Sequence, residues 1–188
     1  MSRQGHLTAA GFRVTVARLV LLTARRKEIE RLFARTAAAF GCQVPAPTGF
    51  GANRRLREYA RFTRKQAETA MESGADLPAL EQHLFNASLG LGSEYRLRFG
   101  IRSGSDAMAA ARLIYSALGI DLKGDSHGNV TVRRCAFASA YTPRICRLMS
   151  SMDKGLLAGL THGGELQFLQ RLTDGAPACL ARVTGGNT

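Results

Sequence analysis

The stretch Pro143-Arg144-Ile145-Cys146-Arg147-Leu148-Met149-Ser150-Ser151-Met152-Asp153-Lys154-Gly155-Leu156-Leu157-Ala158-Gly159-Leu160 decides the reading of the fold. Ile145, Leu148, Met149, Met152, Leu156 and Leu160 recur at steps of three and four, which places them on one face of a helix. Gly163-Gly164 closes it. Beyond that point Glu165 to Leu172 and Pro177 to Val183 read as an antiparallel hairpin around Asp174-Gly175. On the other side, Ile120 to Lys123 and Asn129 to Phe137 read as strands around a turn at 124–128, with Val130 and Val132 alternating with Thr131 and Arg133. The alanine-rich segment Asp106 to Leu118 precedes them as a helix, capped by Ser103 or Ser105 and ended at Gly119. The C-terminal half is therefore helix, two strands, helix, two strands. That order predicts an α+β fold with helices packed on a small antiparallel sheet. The doubled unit is a faint internal echo, and no repeat of solenoid period is present.

Upstream, Asn53 caps a helix to about Met71, with Leu56, Tyr59, Ala60, Thr63, Ala67 and Ala70 as its stripe. Asp76 and Pro78 start another through Leu84 and Phe85. Gly90 and Gly92 are expected to break the chain before a short helix from Ser93 to Phe99. Ala9 to Phe40 reads as helical, and Pro45, Pro47, Gly49 and Gly51 mark a linker after it. The expected organisation is a basic helical arm (1–41), a Pro/Gly linker (42–52) and an α+β domain (53–188). The arm either packs on the body or mediates a homo-oligomer.

At 188 residues the chain suits one domain and needs no covalent staples. Its four cysteines are irregularly spaced, unlike a disulfide framework. Leu19 to Leu22 is too short for a secretory signal and runs at once into Arg25-Arg26-Lys27. No segment reaches the roughly 18–20 apolar residues of a membrane span. A cytoplasmic, reducing location is expected, with free or metal-bound thiols. The net charge is +12, and no acid appears between Arg3 and Arg26. That pattern fits a solvated basic face, and it weakly resembles a targeting peptide. No stacking aromatics or nucleic-acid motif accompany it, so a nucleic-acid partner is not expected.

The chemistry-bearing residues gather in the last third. Cys146, Ser150 and Asp153 lie at i, i+4 and i+7, one stripe at the edge of the helix's apolar face. Cys135 stands near the end of one strand. Cys179 shares a strand face with Ala181 and Val183, taken as the inner one. Helix and sheet can thus bring three thiols and a carboxylate to one cleft. Three readings stay open. The cysteines can pack as small apolar side chains. One can be a nucleophile, with Arg133, Arg134, Arg144 and Arg147 lowering its pKa and Asp153 or His162 moving protons. Or Cys135, Cys146 and Cys179, with Asp153, can hold a divalent metal such as zinc, although CxxC spacing is absent. His83, His127 and Cys42 are read as lying outside this site.

The pattern resembles the L-2-amino-thiazoline-4-carboxylic acid hydrolase-like family. The resemblance rests on Arg134-Cys135-Ala136-Phe137, on Pro143-Arg144-Ile145-Cys146, on Asp153 and on the closing Asp174-Gly175-Ala176-Pro177-Ala178-Cys179. Leu56 to Thr63, Gly100 to Ala107 and Leu118-Gly119-Ile120 are also similar. Against the family pattern, Ala136 replaces a proline, Ser150 a second helical cysteine, and Ala176-Pro177 an acidic pair. The resemblance implies a hydrolase acting on a C–N bond of a small carboxylate-bearing cyclic amidine. It implies a site at Cys135, Cys146, Cys179 and Asp153, with Arg133 or Arg134 pairing the substrate carboxylate. The doubled helix-strand-strand layout is more loosely similar to 4-vinyl-reductase-type small-molecule-binding domains. The alternative expectation is a small-molecule or metal-binding sensor domain without catalysis.

Overall fold

The C-terminal half runs helix, two strands, helix, two strands, as the sequence predicts, in a computed structural model that describes residues 25–49 and 51–186. The helical reading of 9–24, with the basic run it contains, lies outside the described residues. Five α-helices and a four-stranded antiparallel sheet make an α+β fold among those described. The helices are α1 (Arg25–Ala39), α2 (Ala52–Glu72), α3 (Leu77–Phe99), α4 (Gly104–Ala117) and α5 (Pro143–Thr161). The strands are β1 (Ile120–Gly124), β2 (Asn129–Cys135), β3 (Glu165–Gln170) and β4 (Cys179–Thr184). No described helix is long and apolar enough to cross a membrane.

The sheet order is β1-β2-β4-β3. Val130 pairs with Ala181, Val132 with Cys179, and Leu166 with Val183. These inner-face residues are buried or half-buried, while Arg133, Gln167, Arg182 and Thr184 on the other face are exposed. This is the alternation expected of an antiparallel sheet covered on one side. α5 begins at Thr142, whose hydroxyl accepts from the Ile145 N–H at 3.3 Å. It ends at His162, which takes the left-handed conformation at φ 58°, one residue before the glycine pair.

Gly90 and Gly92 do not break the chain: α3 runs unbroken through both. A Cβ on Gly92 would stand 2.3 Å from the Leu156 carbonyl oxygen of α5. One on Gly155 would stand 2.1 Å from the Phe85 carbonyl oxygen, and one on Gly159 2.4 Å from that of Leu89. Glycine serves here to bring two helix backbones together, and the α3–α5 contact is the most extensive between elements. The intrinsic cost of glycine in a helix, roughly 1 kcal/mol each, is offset by that contact.

α1 packs on the body through Ile29, Phe33 and Ala37, spaced four apart and all fully or nearly fully buried. The segment 42–48 that follows carries no regular secondary structure. Arg55 of α2, only 2% exposed, locks the two together. Its guanidinium donates to both carboxylate oxygens of Glu30 at 2.9 and 2.8 Å, and to Glu58 at 3.0 Å. It also lies 4.1 Å over the Phe33 ring. Phe33→Ala is expected to lose roughly 3–5 kcal/mol in urea unfolding, as for a core phenylalanine. A loss below about 1 kcal/mol would show that α1 is not part of the core.

Candidate functional site

α5 meets the inner face of the sheet over two adjoining cavities, of about 110 and 70 Å³. Both are lined by Tyr115, Cys135, Cys146, Ser150, Asp153 and Cys179. Two strands and one helix thus bring all three candidate thiols and the carboxylate to one place. Cys135 comes from the last position of β2, Cys179 from the first of β4, and Cys146 and Asp153 from α5. The rest of the lining is largely apolar, including Phe137, Leu156 and Leu172. Cys42 lines neither cavity; its thiol donates to the Ala37 carbonyl at 3.6 Å.

Asp153 is held from α4, where the Tyr115 hydroxyl donates to its Oδ1 at 2.7 Å. Part of its surface still reaches the cavity, but protein surrounds most of it. Loss of solvent outweighs the hydrogen bond and the Arg171 charge, and lifts its carboxyl to about 6. The seven residues from Cys146 to Asp153 correspond to about 10 Å of helix rise. Thiol and carboxyl therefore bracket the cavity and do not touch. Ser150, between them, turns its hydroxyl to the Cys146 carbonyl at 2.6 Å.

The thiols are all held neutral. Burial pushes Cys135 up to about 12, and the Asp153 charge adds to the rise. Burial likewise raises Cys146 and Cys179, with Arg171 opposing in both. Cys179 Sγ also accepts the Leu172 N–H at 3.3 Å. The arginines expected to activate a thiolate do not do so. Arg133, Arg134 and Arg144 are exposed, Arg134 lying 3.9 Å from Asp121, and Arg147 is drawn off to Asp174 at 2.8 Å. His162 is exposed at the helix end. Alkylation by iodoacetamide near neutral pH should therefore be slow. At Cys135 it should fall roughly a thousandfold below a free thiol, read by peptide mapping; rapid labelling there would contradict the burial.

The residues that sequence reasoning missed are Tyr115, Arg171 and Thr173. Tyr115 sits in the last turn of an alanine-rich helix, and that isolated polar aromatic was its one signal. Arg171 and Thr173 flank Leu172 at the start of the β3–β4 connection. Arg171 lies 4.2 Å over the Phe168 ring. The Arg171 Nε and Thr173 Oγ1 atoms are buried without a hydrogen-bond partner. Thr173 is near enough to the Cys146 sulfur to favour its thiolate, yet makes no bond of acceptable geometry with it.

Among the described residues no group of three or more His, Cys, Asp or Glu side chains is placed to hold a metal ion. The cysteines line one cavity without forming a ligand set, so the zinc reading does not fit the arrangement. No family model and no curated protein matches the chain.

Proposed function

We propose that the protein is a hydrolase-like enzyme that opens a C–N bond in a small, carboxylate-bearing cyclic amidine of the 2-amino-thiazoline-carboxylate type. The reading is supported first by one observation: Cys146 and Asp153 open into the same small cavity from positions two helical turns apart. It is supported also by the order of short motifs that resembles the thiazoline-carboxylate hydrolase-like family.

In this reading Cys146 adds through sulfur to the carbon between the ring sulfur and nitrogen. Its proton passes directly to the amidine nitrogen, so no free thiolate is needed. The ring C–N bond then breaks with its electron pair on nitrogen, and protonated Asp153 supplies that nitrogen's second proton. Water attacks the enzyme-bound cationic carbon and returns a proton to the Asp153 carboxylate. Collapse of the adduct breaks the carbon–sulfur bond to Cys146, whose thiol recovers the hydroxyl proton. The net change is addition of one water. Asp153 suits this role because a carboxyl near 6 still carries its proton in an appreciable fraction near neutrality. Cys135 and Cys179 also line the cavity, and Cys135, with its strongly raised pKa, is the poorer nucleophile.

Rapid quenching during turnover of 2-amino-thiazoline-4-carboxylate should reveal the covalent adduct in the intact protein mass, mapped to Cys146. Cys146→Ser should lose the adduct and slow turnover by roughly a hundredfold or more. Unchanged turnover in that variant removes Cys146 as nucleophile. A second reading, a small-molecule-binding sensor, is favoured by the neutral thiols and the apolar walls. It expects binding of the same acid with no gain of water.

A further inference from the structure

A cavity of about 210 Å³ lies on α2, and every described residue that lines it is polar or charged. It shares no lining residue with the two thiol cavities. Arg54, Arg57, Glu58 and Arg61 stand at i, i+3, i+4 and i+7, one stripe of the helix. Thr48 joins them from the segment before α2. That segment is tied down on the stripe: the Thr48 hydroxyl donates to Glu58 and accepts from Arg54 at 3.3 Å, and Arg55 donates to the Pro45 carbonyl at 3.3 Å. The single acid of the lining is spent. Glu58 gives Oε2 to Arg55 at 3.0 Å and Oε1 to Thr48, with Arg54 3.5 Å away. Arg57 and Arg61 have no hydrogen-bond or ion-pair partner among the described residues. Both are exposed and both line the cavity, so a solute entering it meets them. They lie four residues apart, as do Arg61 and Lys65. Like charges at that spacing oppose helix formation, and an anion held beside them offsets the repulsion.

We propose that this cavity binds a phosphoryl group, with Arg57 and Arg61 as its main charged donors and Arg54 as a third. Guanidinium forks match phosphate oxygens with charge-assisted, frequently bidentate hydrogen bonds. A phosphate monoester brings roughly two negative charges near neutral pH and three acceptor oxygens. Two uncommitted guanidiniums match that charge, whereas a carboxylate or a nucleic-acid diester brings one. No aromatic side chain among the described residues lines the cavity to stack a base. A cavity of roughly 150 Å³ takes a benzene, so this one has room for the phosphate and part of the molecule that carries it. The site stands apart from the hydrolase reading and does not depend on it.

The test is titration calorimetry on the full chain, in phosphate-free buffer near neutral pH and at moderate salt, with inorganic phosphate, glycerol 3-phosphate and glycerol. Wild-type protein should bind both phosphates and not glycerol. Arg57→Gln and Arg61→Gln should each weaken phosphate binding by roughly tenfold or more, and Arg57→Lys should retain part of it. Arg102→Gln and Arg182→Gln remove exposed charges outside the cavity and should leave binding within about twofold of wild type. Phosphate should raise the melting temperature of the wild type and not that of the double variant Arg57→Gln/Arg61→Gln. Neither arginine has a partner to lose, so without phosphate the double variant should melt at or above the wild type. A wild type that binds neither phosphate overturns the assignment, as does binding that survives in the folded double variant. Equal losses in Arg102→Gln and Arg182→Gln would reduce the effect to net charge and also overturn it. Tighter binding of glycerol 3-phosphate than of inorganic phosphate identifies a phosphorylated small molecule as the occupant; the reverse identifies free phosphate, and either upholds the site. Binding of poly(U) RNA without binding of either small phosphate overturns it in favour of a nucleic-acid surface.

Discussion

Asp153→Asn should abolish turnover while making the protein more stable at neutral pH. The carboxyl stands at about 6 in the folded protein, against an ordinary value of 3.8. Below about pH 4 the group is protonated whether the chain is folded or not, and it contributes no pH dependence. Between about 4 and 6 the unfolded chain releases the proton and the folded one keeps it, so stability falls as pH rises. Above about 6 both are ionised, and the folded state carries a buried charge costing on the order of 2–3 kcal/mol. Asparagine removes that charge, and its own Oδ1 can accept the Tyr115 hydroxyl. Stability at pH 8 should rise by roughly 1–3 kcal/mol, seen as several degrees in melting temperature. At pH 4 the variant and the wild type should melt together. Turnover should fall by roughly a hundredfold or more, the usual effect of losing a positioned acid. In the wild type, turnover should decline as pH rises through about 6. A destabilised Asp153→Asn protein at pH 8 would show that the carboxylate is structurally satisfied and not held in reserve.

The second large effect is expected at the α3–α5 crossing. Gly155→Ala places a methyl group 2.1 Å from the Phe85 carbonyl oxygen and 2.3 Å from the Ser88 hydroxyl. Neither the carbonyl nor the buried serine can retreat without parting the helices. On an exposed helix the same change would stabilise by roughly 1 kcal/mol. Here the overpacking, roughly 1–3 kcal/mol or more, must first overcome that gain. Urea unfolding should show a net loss of at least about 1–2 kcal/mol. Because α5 carries both Cys146 and Asp153, the displacement should also weaken binding in the cavity. A stabilised Gly155→Ala protein would mean that the helices do not approach so closely.

Much of this architecture was legible because local and global signals agree. The apolar stripe of α5 and the alternation in β2 each have a single period; Gly163 follows the end of the first and Gly128 precedes the second. Helical and strand spacing allowed Cys135, Cys146 and Cys179 to converge, and all three line the same cavities. Gly92 misled because a glycine looks alike to local propensity whether it breaks a helix or admits another backbone; Gly90, beside it, meets only the Arg35 side chain. Only the facing Gly155 and Gly159 distinguish the two, and they lie sixty-odd residues away. The arginines misled for a related reason. Proximity in sequence to a cysteine made Arg133, Arg134, Arg144 and Arg147 look activating, yet the strand pleat and the helix face turn them outward. Burial, which depends on the assembled core, dominates every thiol in the site. The charge of Arg171 acts on Asp153, Cys146 and Cys179 from a connection whose path no periodicity foretells.

The most direct measurement is a mass-spectrometric time course of 2-amino-thiazoline-4-carboxylate with the purified protein and its Asp153→Asn variant, each shown to be folded. Gain of one water with the wild type, lost in a variant that melts higher, is the outcome this account predicts. An unaltered compound after prolonged incubation with folded wild-type protein, or equal conversion by the variant, would contradict it.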